Sequence, residues 1–148
     1  MLVIRRAEQR DLRRILAIER SSFGRDAWDR ELFEELLGGS IFLVAENGAK
    51  LAGYLIAVVA GSKAELASIA TRPRDRQRGI GTKLMTQALG KLRRQRVDEW
   101  WLMVRTTNDA AIRFYRALGF RRVRRVKRYY EHGADAWRMR LPRPASAA

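Results

Sequence analysis

Two hydrophobic periods alternate along the chain, and their order predicts its architecture. Met1 to Arg6 reads as a first strand, and Asp11 to Ser22 as a helix with Leu12, Ile15, Leu16 and Phe23 on its inner face. A second helix spans Asp29 to Leu37, with Asp29 as N-cap and Gly38-Gly39 as a stop suited to left-handed backbone angles. Ile41 to Glu46 and Leu51 to Ala60 are apolar runs flanking Asn47-Gly48, a hairpin signal. Ala64 to Thr71 is a buried strand whose strongly polar members are Glu65 and Ser68. Ile80, Leu84, Met85, Ala88, Leu89 and Leu92 then recur at helical spacing to about Arg94. Glu99 to Arg105 is a fifth strand. Asn108 caps a helix that runs to Leu118 and is ended by Gly119, and Phe120 to Tyr129 and Ala136 to Leu141 are the last strands. Mixed elements in this order predict an α/β (α+β) sandwich: one mostly antiparallel central sheet of about seven strands, covered by about four helices. Residues 1–141 are expected to form a single domain and 142–148, rich in Pro and Ala, a disordered tail.

Composition narrows the chemistry. The 148 residues are 47% hydrophobic, enough for a real core, and contain no cysteine and one histidine. Disulfides, thiolate metal sites and an acyl-cysteine intermediate are excluded, and no metal is expected. His132 lies in a turn and reads as solvent-facing. Arg5 and Arg6 interrupt the apolar start, so neither a signal peptide nor a membrane span is expected, and the predicted location is the cytoplasm. Thirty-one Lys and Arg against sixteen Asp and Glu leave a net charge of +15. Such a field attracts polyanions and is compatible with proximity to ribosomal RNA, or with a host whose proteins are simply arginine-rich.

The stretch Arg72 to Leu84 follows a strand and opens a helix. The first turn of a helix leaves N–H groups without partners at the positive end of the macrodipole, where phosphate oxygens satisfy both. Gly79 and Gly81 let a ligand approach the backbone, and Arg72, Arg74, Arg76 and Arg78 supply cations. The alternative is a solvated arginine-rich loop. A Walker loop and a dinucleotide fingerprint both fail on spacing: Gly81-Thr82-Lys83 inverts the first, and Leu84 stands where the second needs a third glycine.

Arg76-Gln77-Arg78-Gly79-Ile80-Gly81 resembles the coenzyme A loop of the GNAT acetyltransferase superfamily. The segment from Asn108 through Ala111 and Tyr115 to Gly119-Phe120 resembles that superfamily's second motif, in the same order and at the same separation. Within the superfamily the chain is most similar to the ribosomal-protein alanine N-acetyltransferase (RimI-like) branch. The resemblance implies acetyl-coenzyme A as co-substrate and parallel, splayed fourth and fifth strands. It further implies pantetheine bonded near Ile69, Ala70 and Thr71, and coenzyme contacts from Arg76, Gln77, Arg78, Gly79, Ile80, Gly81, Thr82, Asn108, Ala111 and Tyr115. The connection Phe23 to Trp28 then forms part of an acceptor wall, although an aromatic at Trp28 also fits the core. Tyr129 and Tyr130 resemble the tyrosine pair with which N-terminal acetyltransferases grip a peptide. If strand pairing continues through them, they point to opposite faces, as do Trp100 and Trp101, with one of each pair in the core.

Transfer of acetyl from a thioester to an amine needs a held donor, a neutral amine, oxyanion donors and a proton for the leaving thiolate. Tyr115, on the inward face of its helix, is the expected general acid if it is not simply a core tyrosine. Met103 stands where the RimI-like pattern places a catalytic glutamate, and a thioether takes no proton. Glu65, positioned like the glutamate of histone-acetylating relatives, is the candidate substitute, unless it pairs structurally with an arginine. Neutralising an α-amine of pKa near 8 at pH 7 costs about 1.4 kcal/mol against about 4.6 kcal/mol for lysine, so a weak base favours an N-terminal acceptor. Direct acetylation of a protein or peptide N-terminus by a monomer or homodimer is the primary expectation. A small-molecule amine acetyltransferase and a non-catalytic acyl-coenzyme A or RNA binder are the alternatives.

Overall fold

The computed structural model describes residues 1–76 and 78–142; Gln77 and residues 143–148 lie outside them, and Pro142, expected to open the tail, instead closes the last strand. Seven strands form one sheet in the order β1-β2-β3-β4-β5-β7-β6, with four α-helices and three single 3-10 turns among the described residues. The strands are β1 (Leu2–Arg6), β2 (Ile41–Asn47), β3 (Lys50–Ala60), β4 (Lys63–Thr71), β5 (Glu99–Arg105), β6 (Arg121–Val126) and β7 (Ala136–Pro142). The helices are α1 (Leu12–Phe23), α2 (Arg30–Leu37), α3 (Ile80–Arg94) and α4 (Asp109–Ala117). Neighbouring strands are antiparallel in the pairs β1–β2, β2–β3, β5–β7 and β6–β7, and β4 and β5 run parallel. The predicted mixed sheet is therefore found, with its parallel pair where it was expected.

The described residues divide into two compact units: Met1–Val59 with Ala67–Lys91, and Ala60–Leu66 with 92–142. In the first, Leu12, Ile15, Leu16 and Ile18 of α1, Phe33 of α2, and Phe42, Val44, Tyr54 and Ile56 of the sheet form one buried cluster. β3 reads as a continuous apolar run because it is buried on both faces. Gly53 permits its approach to β4: a Cβ there would lie 2.8 Å from the Ala70 carbonyl oxygen. The hairpin turns on Gly48 and Ala49, one residue later than Asn47-Gly48 implied, with Asn47 opposite Lys50 and Gly48 at φ +63°.

Two expectations need correction here. Gly38 ends α2 in the right-handed region at φ −88°, so this stop does not use the left-handed freedom of glycine. Phe23 is 40% exposed at the end of α1, and the inner face is completed instead by Ile18 and Glu19. Gly24 at φ +55° ends the helix directly after Phe23, at the last position of that face.

In the second unit β5 lies beside β7, with Met103 opposite Arg138, and β7 beside β6. Trp100 and Phe120 pack with ring centroids 5.5 Å apart, and Phe120 lies 5.8 Å from Tyr115. Asn108 caps α4 by accepting the Ala111 N–H at 3.2 Å, and Gly119 at φ +103° follows the helix end. The tryptophan pair divides as alternation requires: Trp100 is buried and Trp101 half-buried. The tyrosine pair does not. β6 stops at Val126, so Tyr129 and Tyr130 lie in the following turn, and neither is in the core.

Candidate active site

The expected donor loop leaves β4 at Thr71. The Arg72 N–H donates to the Ala52 carbonyl at 2.7 Å, Pro73–Asp75 make a 3-10 turn, and α3 begins at Ile80. Gly79 takes φ +77°, a conformation that costs a side-chain-bearing residue about 1–2 kcal/mol, and its carbonyl accepts the Lys83 N–H at 3.1 Å. The N–H groups of Ile80, Gly81 and Thr82 fall in the first helical turn, where no intrahelical acceptor reaches them. An anion-binding helix terminus is what this junction can provide. Part of the expected arginine ring is already engaged. Half-buried Arg72 is held by buried Asp75 at 2.6 Å and exposed Arg76 donates to Ser22 Oγ at 3.2 Å; Arg74 and Arg78 are exposed as well. Ile69, Ala70 and Thr71 continue β4 beyond Lys63–Glu65, the three residues in register with Glu99–Trp101 of β5.

A buried polar chain in the same unit escaped the sequence reading. Glu19, 2% exposed on the inner face of α1, accepts the Tyr54 hydroxyl through one carboxylate oxygen and the Trp28 N–H at 2.9 Å through the other. The Tyr54 hydroxyl also lies 3.2 Å from Ser68 Oγ on β4. Burial pushes the Glu19 carboxyl above its ordinary 4.5, against hydrogen bonds from Tyr54, Trp28 and Ser68 that pull it down. Burial, then the Glu19 charge, raises the Tyr54 hydroxyl well above the usual tyrosine range. The chain therefore ties the Trp28 backbone to the strand bearing Ile69 and Ala70. A signal was present: Glu19 follows Leu12, Ile15 and Leu16 at helical spacing, a carboxylate in a place where periodicity calls for a hydrophobe. The Trp28 ring is half-buried, 5.7 Å from Phe33, so it is partly core as well as partly surface.

In the second unit, Glu65 of β4 is half-buried. Burial raises its carboxyl above the ordinary 4.5 and the charge of Arg138 offsets part of that rise. The Arg138 guanidinium sits 4.1 Å from the centre of the Trp101 ring and 3.5 Å from Glu99, its closest ion-pair partner. Tyr129, 46% exposed, has its hydroxyl raised by burial and then by the Glu65 charge. Tyr130 packs edge-on against Tyr129 with centroids 5.0 Å apart, and the Arg105 guanidinium lies 4.3 Å from its ring centre. Glu65 is thus within electrostatic reach of Arg138 and Tyr129. Tyr115 is buried between Phe114 and Phe120, and burial, then neighbouring Tyr130, holds its hydroxyl protonated well above the usual range. His132 is exposed, as its turn position implied.

Fold and motifs define the class: residues 3–120 match the acetyltransferase (GNAT) family, and the chain belongs to that family of acyltransferases. Among particular relatives, the chain is similar to the N-alpha-acetyltransferase RimI of Mycobacterium tuberculosis, with 36% identity over 138 residues covering 88% of this chain and 85% of that one. It is 35% identical over 104 residues to the [Ribosomal protein bS18]-alanine N-acetyltransferase of Escherichia coli K12, covering 68% and 70% of the two chains. A crystal structure of the ribosomal-protein-S18-alanine N-acetyltransferase from Escherichia coli superposes with a TM-score of 0.89 at 30% identity, covering 100% of this chain and 97% of that one.

Proposed function

We propose that this acetyltransferase transfers acetyl directly from acetyl-coenzyme A to the N-terminal α-amine of a protein or peptide. The observation that carries the reading is the similarity, over 88% of the chain, to an enzyme named for N-alpha-acetylation. In this reading residues 1–141 act as one domain in the cytoplasm, as a monomer or homodimer, near the ribosome. No described helix is long and apolar enough to cross a membrane.

The coenzyme diphosphate is assigned to Arg76–Thr82, with Arg76 and Arg78 as exposed cations and the first-turn amides of α3 as donors. Pantetheine is assigned to the backbone of Ile69, Ala70 and Thr71. Asn108 and Ala111 complete the coenzyme contacts; the Asn108 carbonyl already serves as helix cap, which leaves its amide N–H groups for the ligand. Phe23, Trp28, Tyr129 and Tyr130 are assigned to the acceptor.

Glu65 takes the proton from the ammonium, and its raised pKa makes it a stronger base than an exposed carboxylate. The amine lone pair then attacks the thioester carbonyl carbon, forming the C–N bond and a tetrahedral oxyanion met by backbone N–H groups of β4 near Ile69 and Ala70. As the intermediate collapses the C–S bond breaks, Tyr115, protonated at every relevant pH, donates to the departing sulfur, and the second proton of the attacking nitrogen passes back to the tyrosine oxygen, which leaves a neutral amide and free thiol. Met103 contributes packing and no proton.

Thiol release from acetyl-coenzyme A, measured against N-terminal peptides, lysine peptides and polyamines, tests the proposal. Turnover confined to α-amine peptides is expected. Faster turnover of a polyamine would overturn it in favour of a small-molecule acceptor. Tight coenzyme binding without turnover of any acceptor would favour the non-catalytic binder.

A further inference from the structure

We infer that the outer edge of the sheet, formed by β6 and the turn after it, is a binding surface for single-stranded RNA. The excess charge gathers around it: residues 110–142, from α4 through β7, hold ten Lys and Arg against two acids, Glu131 and Asp135, and six of the ten stand at 121–128. A uniformly arginine-rich composition would not place more than half of the net +15 in less than a quarter of the chain.

The placement is specific. β6 is the terminal strand, paired only with β7, and Arg121, Arg122, Arg124 and Arg125 are all exposed, followed by exposed Lys127 and Arg128. One or two charges are enough to guard an edge strand against self-association; six cations in eight residues exceed that need. Asp135 is occupied by Arg125 at 2.8 Å, and no acid lies within ion-pair distance of Arg121, Arg122 or Arg124 among the described residues. Alternate residues along a strand are about 7 Å apart, a spacing a sugar-phosphate backbone can follow.

Two further features favour a polynucleotide over an acidic protein or a membrane. The guanidinium groups of Arg122 and Arg125 lie 4.8 and 5.9 Å from the centre of the half-buried Trp137 ring, which orients flat cations for stacking on bases as well as for bidentate phosphate contact. Beside them Arg116, Gly119, Phe120, Arg121 and Arg122 line an open hollow of about 490 Å³. Val123 is the one large exposed apolar side chain of β6, too little to insert into a bilayer. An exposed strand with stacking groups suits unpaired bases and does not enter the deep groove of a duplex, which points to single-stranded segments of RNA.

Fluorescence anisotropy of a labelled single-stranded RNA oligomer with the full chain, between about 50 and 200 mM salt, tests the surface. The triple variant Arg121→Gln, Arg122→Gln, Arg124→Gln should bind at least tenfold more weakly and lower the salt slope by about 2, whereas Arg13→Gln, Arg20→Gln, Arg94→Gln should change both little. Unchanged thermal melting and acetyl-coenzyme A turnover show that both triples are folded. If the first triple melts early, Arg→Lys at the same three positions replaces it: the slope should persist while affinity falls, because lysine lacks the planar fork. Equal losses in the two glutamine triples, no RNA binding by the parent, tighter binding of DNA or duplex, or displacement of RNA by polyglutamate or anionic vesicles at equal charge would each overturn the inference. None of the six substituted arginines is assigned to acetyl transfer, so the surface and the enzymatic reading fail separately.

Discussion

Glu19 and Tyr54, thirty-five residues apart in sequence, share a hydrogen bond in the interior, with the Tyr54 hydroxyl donating to the Glu19 carboxylate. The other carboxylate oxygen holds the Trp28 N–H, so one buried acid joins α1, the α1–α2 connection and β3. Removing it with Glu19→Ala takes the carboxylate acceptor from the Tyr54 hydroxyl and the Trp28 N–H and should cost about 2–4 kcal/mol, read as a lower urea midpoint at unchanged slope. Glu19→Gln keeps an acceptor oxygen and should lose less. Equal stability of Glu19→Ala and the parent would show that the network holds nothing in place.

The same acid gives stability a distinctive pH dependence. Its folded carboxyl lies above the ordinary 4.5, so the folded state binds more protons than the unfolded state just above that pH, and stability falls as pH rises towards the folded pKa. Asp11 acts oppositely. Burial raises its carboxyl, but Arg5 at 2.8 Å and the Glu8 N–H outweigh that and hold it below its ordinary 3.8, so its contribution is lost as pH falls through the acid range. The gap between parent and Glu19→Gln should therefore narrow as pH rises from 4.5 towards 7, measured by urea midpoints across that window. A gap that widens with pH would reverse the assigned direction.

Periodicity exposed the elements whose burial follows one rule. β3 and β5, the α3 register and the Asn108 cap all lie where alternation, helical spacing or capping chemistry puts them. Where a second constraint intervened, the local rule failed. Glu19 occupies an inner position because Tyr54 and Trp28 satisfy its oxygens, and partners that distant in sequence leave no local trace. Tyr129 and Tyr130 leave the core because the strand ends early: Arg128 turns to φ +52° and its N–H donates to Asp135 at 3.0 Å. The loop arginines were legible as charge but not as geometry, since Asp75 and Ser22 engage Arg72 and Arg76.

Substitution of Gly79 distinguishes the proposed coenzyme loop from the proposed acceptor wall. A side chain there must adopt φ +77°, and Gly79→Val should distort the first turn of α3 at a cost of about 1–2 kcal/mol. In steady-state kinetics the KM for acetyl-coenzyme A should rise roughly tenfold, as about 1.4 kcal/mol implies, while the KM for the peptide stays within about twofold. A change confined to the peptide KM would place the diphosphate elsewhere.

The proposed base and acid can be distinguished by pH. Burial raises Glu65 and Arg138 partly offsets it, so Arg138→Gln should raise the Glu65 pKa further and move the acid limb of kcat/KM to higher pH. Glu65→Gln should lower kcat/KM by about 10²–10⁴ and abolish that limb's dependence on Arg138. Tyr115→Phe should lower the rate while leaving the limb in place, because a hydroxyl held protonated does not titrate there. The double variant Glu65→Gln, Arg138→Gln decides the point. If its acid limb coincides with that of Glu65→Gln alone, the arginine acts through the carboxylate. If Arg138→Gln still shifts the limb without Glu65, the titrating group is another one, and a water chain takes the proton from the amine.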